Sequence, residues 1–143
     1  MKSIYKKILI YSFLILIGKI YTQNNSDITN NSWLFKSMTT ITKGKREKIS
    51  ILYQDKNNFE TLTFKNPDVL EYYIINDGIE HNGLAKWYLN GQSLTIISGK
   101  DTINSIIKIK NSSLNIITQD LDPETNFDFT TIIKYKNKIK KSN

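Results

Sequence analysis

The feature that most constrains this chain is the pair Asn90-Gly91, set between the runs Leu84–Leu89 and Leu94–Ile97. An Asn-Gly pair tolerates positive φ at both positions, as a two-residue type I′ turn requires, so it marks the tip of an antiparallel hairpin. With both residues at the tip, Leu89 is predicted opposite Gln92, Trp87 opposite Leu94, and Ala85 opposite Ile96. Successive side chains of a strand point to opposite faces. Ala85, Trp87, Leu94 and Ile96 therefore share one face, and Lys86, Tyr88, Ser93 and Thr95 the other. One apolar face and one wet face is the pattern of an antiparallel sheet covered on one side.

The same alternation recurs along the chain. Ser32–Thr42 carries Trp33 and Phe35 at strand spacing, Lys48–Gln54 places Ile49, Ile51 and Tyr53 on one side, and Phe59–Lys65 does so with Leu62 and Phe64. Val69–Ile75 follows a break at Asn66-Pro67-Asp68, since proline lacks the N–H that a ladder needs. Ile79–Asn82 fits either a strand or a longer loop. Beyond the hairpin, Thr102–Lys110 aligns Ile103, Ile107 and Ile109, and Ser113–Gln119 aligns Leu114 and Ile116. Asn126–Lys136 aligns Phe127, Phe129, Thr131, Ile133 and Tyr135. Short polar turns such as Lys43–Arg46, Asp77-Gly78 and Asn111-Ser112 join these runs.

No amphipathic helix and no strand–helix–strand alternation interrupts the series, so a parallel sheet is disfavoured. Short links make sequence neighbours pair in space, and a long meander leaves two bare edges unless it closes on itself. The expected fold is all-β, an antiparallel up-and-down barrel of about eight to ten strands, with a β-sandwich as the alternative.

The first residues read as an export signal. Lys2, Lys6 and Lys7 precede the uncharged run Ile8–Ile17, with Gly18, Lys19 and Thr22 behind it. A basic start, a short apolar run and a small residue at a polar boundary are the parts of a secretory signal. The run falls short of the ~20 residues of a membrane span. Cleavage is expected near Thr22, leaving a periplasmic or extracellular protein that touches a membrane only in transit. An uncleaved anchor is the alternative. Loss of four lysines and no acid takes the formal charge from +7 to +3. Residues 23–31 (QNNSDITNN) read as a flexible leader, 32–136 as the domain, and 137–143 as a basic, solvated tail.

Composition removes several kinds of chemistry. There is no cysteine, so no disulfide, thiolate metal site or catalytic thiol is available. The single histidine, His81, stands in Glu80-His81-Asn82-Gly83, a stretch that reads as an exposed loop without a nucleophile beside it. Asp120-Leu121-Asp122 with Glu124 lacks the glycine and spacing of a calcium loop and reads as turn chemistry. All six glycines are isolated, so no phosphate-cradling loop exists. No metal or cofactor is expected. Lysines beside aromatics, as in Lys86-Trp87, fall on opposite faces of a strand, so nucleic acid is not an expected partner. Glu71 in its apolar strand reads either as an inward anchor or, preferably, as an outer-face residue.

Trp33, Leu62-Thr63-Phe64, the motif Trp87, Leu89, Gly91, Leu94 and Ile96, and the aromatic last strand ending at Tyr135 together resemble small bacterial lipocalin-like domains. The resemblance covers most of Ser32–Lys136. It implies a closed antiparallel barrel whose open end binds a small apolar molecule or a partner protein. Candidate ligand-lining residues are Trp33, Phe35, Leu62, Phe64, Trp87, Phe127, Phe129 and Tyr135. An interior of ~8 strands is only just wide enough for side chains or one small ligand. Most of these aromatics are therefore expected to fill the core, with a small pocket near one mouth. The expected function is that of an exported, non-catalytic binding protein for a small apolar ligand. A protein-interaction module of inhibitor or immunity type, acting through barrel loops, is the alternative.

Overall fold

The computed structural model describes residues 25–29 and 31–138. The expected signal and most of the basic tail lie outside the described residues. Among the described residues, a single turn of helix, α1 (Asn25–Ile28), precedes nine strands: β1 (Ser32–Lys43), β2 (Glu47–Tyr53), β3 (Phe59–Lys65), β4 (Val69–Asn76), β5 (Ile79–Asn90), β6 (Ser93–Ser98), β7 (Asp101–Lys110), β8 (Ser113–Leu121) and β9 (Asp128–Asn137). Strands β3 to β9 pair in sequence order, and β1 closes the ring by pairing with both β3 and β9. The result is a closed, antiparallel, up-and-down barrel of eight strands, with β2 outside the ring. Closure leaves the ring itself without an edge.

The turns explain the register. Asp77 and Gly78 have φ of 50° and 79°, and Asn111 and Ser112 of 50° and 60°. Positive φ at both central residues is the type I′ pattern, which matches the twist of the strands it joins. Asp77-Gly78 makes Ile79–Asn82 the start of β5, so the four residues left open by sequence are strand. His81 thereby lies in a ladder, opposite Ile74, and the loop expected around it is corrected; it is exposed.

The Asn90-Gly91 hairpin is also corrected. Asn90 pairs with Ser93, so the two tip residues are Gly91 and Gln92. Gly91 has φ of 60° and Gln92 is not in the left-handed region, which is the type II′ pattern with glycine first. Trp87 consequently faces Ile96 and Leu89 faces Leu94. Moving the tip by one residue slides each partner by two, so every side chain keeps its face. Ala85, Trp87 and Leu94 are buried, as the alternation requires.

The core is densest at one end of the barrel. Trp33, Phe64, Trp87, Leu94, Ile107 and Leu114 are each at most 1% exposed. Phe64 and Trp87 meet edge to face with ring centroids 5.3 Å apart. Buried indoles need an acceptor for their N–H. Trp87 Nε1 donates to the Lys65 carbonyl over 3.0 Å, and Trp33 Nε1 to the Ile28 carbonyl over 3.0 Å. Ile28 is fully buried in the same cluster, and Thr29 bridges to Phe64. The last part of the expected flexible leader is thus built into the fold, because it supplies both an apolar plug and the acceptor that Trp33 requires.

β1 is the irregular member of the ring. One of its edges pairs with β9 from Trp33 to Lys43, with a bulge between Phe35 and Ser37. The other edge pairs with β3 only at Ser32–Leu34 and then with β2 from Ser37 to Lys43. The switch falls at the bulge, which bends a strand and changes which side chains face inward. Lys36 secures it: its carbonyl accepts from Gln54 N over 3.0 Å, and its Nζ donates to Gln54 Oε1 over 2.9 Å. Among the described residues β2 pairs on one side only, and it is exposed along its length. Ile49, Ile51 and Tyr53 do share a face, and that face is open to solvent.

Candidate functional site

At the end opposite the tryptophan cluster the inward side chains become smaller and the barrel is hollow. A cavity of about 320 Å³ is lined by Leu62 and Leu70, Ile74, Ile96, Ile103, Ile116 and Ile133, and by Tyr72 and Tyr135. Alternation on β3 sends Glu60 inward together with Leu62 and Phe64, so one carboxyl joins this apolar lining. Tyr135, 1% exposed, projects from β9 and donates its phenol hydrogen to Glu60 Oε2 over 3.0 Å. Phe35, paired with Tyr135 across the β1–β9 ladder, packs its ring edge-on at a centroid distance of 6.3 Å.

A second space adjoins the first. Where β1 leaves β3 to follow β2, the wall opens into a cleft of about 250 Å³. Phe35, Met38 and Leu52 line it on the β1–β2 side, and Phe59, Glu60 and Ile74 on the β3–β4 side. Glu60, Ile74 and Ile133 line both spaces, so the carboxyl stands at their junction.

The electrostatics follow from this placement. Loss of water around Glu60 raises its carboxyl above the usual glutamate range, and the hydrogen bond from Tyr135 offsets this only in part. Burial also raises the Tyr135 phenol well above the ordinary tyrosine value, helped by the adjacent Glu60 charge. Tyr135 therefore stays a donor. Among the described residues, neither space has a lysine, arginine or histidine in its lining.

Tyr72 owes its position to a missing side chain. It lies directly opposite Gly83 in the β4–β5 ladder. A Cβ at Gly83 would stand 2.5 Å from Tyr72 Oη and 2.8 Å from Cζ, so glycine is what lets the phenol lie flat against β5 and leave the cavity open.

The residues singled out from sequence separate into groups. Trp33, Phe64 and Trp87 belong to the packed end. Leu62 and Tyr135 line the cavity, and Phe35 lines the cleft. Phe127 lies over Gly44, where an added Cβ would meet its ring at 2.7 Å, and Phe129 lines a polar hollow with Lys43 and Asp120; neither reaches the cavity. Glu60 was missed, although its parity with Leu62 and Phe64 marks it as inward. Glu71 is outward, in an ion pair with Lys65 at 2.5 Å. Asp122 Oδ1 accepts from the backbone N–H groups of Glu124 and Thr125, as turn chemistry predicts. No group of three potential metal ligands occurs among the described residues.

Comparison with family models, with curated proteins and with solved structures gives no match.

Proposed function

We propose that this chain is an exported, non-catalytic binding protein of lipocalin-like type that holds one small, mainly apolar molecule inside the open end of its barrel. The observation that carries this reading is the 320 Å³ cavity, whose wall is mostly aliphatic, with the Glu60–Tyr135 pair and the hydroxyls of Tyr72, Ser98 and Thr118 as its polar groups. Ligand sites are commonly concave and apolar, with a few polar groups that fix orientation. The packed tryptophan end serves as a rigid base, so the open end keeps its shape without a ligand to fill it. The hydroxyls in the same lining, Ser98 and Thr118, have no histidine or lysine beside them among the described lining residues to activate them, which favours binding over catalysis.

Purification of the mature domain from its own host, followed by mass spectrometry of organic extracts, tests the reading. The expected result is a small apolar molecule recovered in a fixed ratio to protein. Absence of any such molecule, together with one stoichiometric protein partner, overturns it.

A second reading rests on β2. Among the described residues this strand has one unpaired edge, and it exposes Ile49, Ile51 and Tyr53 at 60, 50 and 66%. An extended segment of another protein can add to such an edge through main-chain hydrogen bonds. The same mass spectrometry separates the two readings.

A further inference from the structure

The ligand's head group can be inferred from what Glu60 lacks. Glu60 Oε2 accepts the Tyr135 phenol, while among the described residues Oε1 has no hydrogen-bond partner. Besides the neutral amides of Asn58 and Asn76, the elements around the carboxyl offer it apolar surface: Phe35 and Met38 from β1, Leu52 from β2, Ile74 from β4 and Ile133 from β9. Among the described residues, the only other titratable side chains in the two linings are Tyr72 and its partner Tyr135. The cations near in sequence or space do not line either space. Lys36 is bonded to Gln54, Lys65 to Glu71 on the outer face, Lys56 is exposed beside Asp55, and Lys134 is exposed on the outward side of β9. His81 is exposed on β5, and Asp101 is exposed where β7 begins; neither lines the cavity. A carboxylate shielded from water and left without a positive partner is costly, and a cation that arrives with the ligand removes that cost.

The geometry points to an amphiphilic amine as the bound molecule, its ammonium on Glu60 Oε1 and its apolar body in the cavity. This rests on the binding reading above and narrows it. In liquid water each molecule takes ~30 Å³, so the cavity admits a body of roughly ten methylene-sized groups. An alkylammonium resembles a lysine side chain, whose pKa of ~10.4 keeps it charged at pH 8. A fatty acid of equal length brings a second negative charge to Glu60 and is disfavoured. An alcohol can donate one hydrogen bond to the carboxylate but brings no positive charge to it. The ammonium supplies both the bond and the opposite charge that the desolvated carboxylate lacks.

The test uses calorimetric titration of the mature domain with octylamine, 1-octanol and octanoate at pH 8. Octylamine is expected to bind about tenfold or more tighter than octanol, with octanoate weakest. Its affinity should fall as the pH drops through the Glu60 titration, because a neutral carboxyl no longer attracts a cation. Glu60→Gln should remove both the preference for the amine and its pH dependence while octanol binding persists. Tyr135→Phe should keep the amine preference, since the carboxylate remains. Equal binding of the three, or tightest binding of octanoate, overturns the head-group inference and leaves the apolar cavity reading standing. Binding of none overturns both. An amine preference that survives in Glu60→Gln overturns the assignment to this carboxyl.

Discussion

Tyr135 and Glu60 are 75 positions apart in sequence, yet the phenol of one donates to the carboxylate of the other over 3.0 Å inside the barrel. The bond joins β9 to β3, two strands that share β1 as neighbour, across the place where the wall opens. It is a part-buried, charge-assisted contact that ties β3 to the last strand of the wall.

That contact has a pH signature. The folded Glu60 carboxyl titrates above its unfolded value because burial disfavours its charge. Stability from this group is therefore fully present below the ordinary glutamate pKa and is lost as pH rises through the raised folded value. Urea midpoints of the wild type should decline over that window. Glu60→Gln, neutral throughout, should lack the decline and be the more stable form at pH 8. Equal pH profiles for the two proteins would show that Glu60 is solvated.

The Tyr72–Gly83 pair makes a steric prediction. Gly83→Ala should destabilise by ~1–3 kcal/mol, the usual cost of overpacking. In a Tyr72→Leu background the same change should cost much less, because the ring atoms within 3 Å are gone. A double-mutant cycle read by chemical denaturation measures the coupling. Additive effects would place the ring away from Gly83.

Ile28 distinguishes a plug from a leader. Ile28→Ala should cost ~2–5 kcal/mol, the range for emptying a buried aliphatic site. Trp33 fluorescence should shift to the red as its surroundings admit water. A flexible leader would give no change in either measurement.

β2 predicts behaviour in solution. Ile51→Lys should leave folding stability within ~0.5 kcal/mol, as for most surface changes. A charge on this edge should lower self-association, read by sedimentation velocity at high protein concentration. An unchanged sedimentation profile in a self-associating protein would exclude the β2 face as the contact.

Much of the barrel was legible because a closed meander imposes a two-residue period on every strand, and Phe59–Lys65 or Ser113–Gln119 display it without interruption. Faces survived even where the pairing was misjudged at Gly91, since the tip moved by one residue and partners by two. The site was less legible. Glu60 carries the inward parity, but a glutamate at the start of a strand beside a polar turn is ordinarily wet; its burial depends on β1 and β9, which arrive from opposite ends of the chain. The cleft was illegible because the bulge at Lys36 reflects β1 choosing between two partners on one edge, β3 and β2, and alternation within β1 cannot express that choice. The structural part of residues 23–31 escaped notice because its two adjacent buried residues, Ile28 and Thr29, are too few to make a period.

The double role of β1 also orders events in time. The ring closes only when β1 meets β9, and next to that seam Asn137 Nδ2 donates to Asn31 Oδ1 across 106 positions. Until the final strand exists, both flanks of the meander stay bare, and the long-range contacts that would reward loop closure are missing. A chain emerging from its N-terminus therefore remains open until β9 has emerged. A barrel sealed by β1 and β9 stays an unclosed sheet for as long as β9 is withheld, and it locks once that strand arrives.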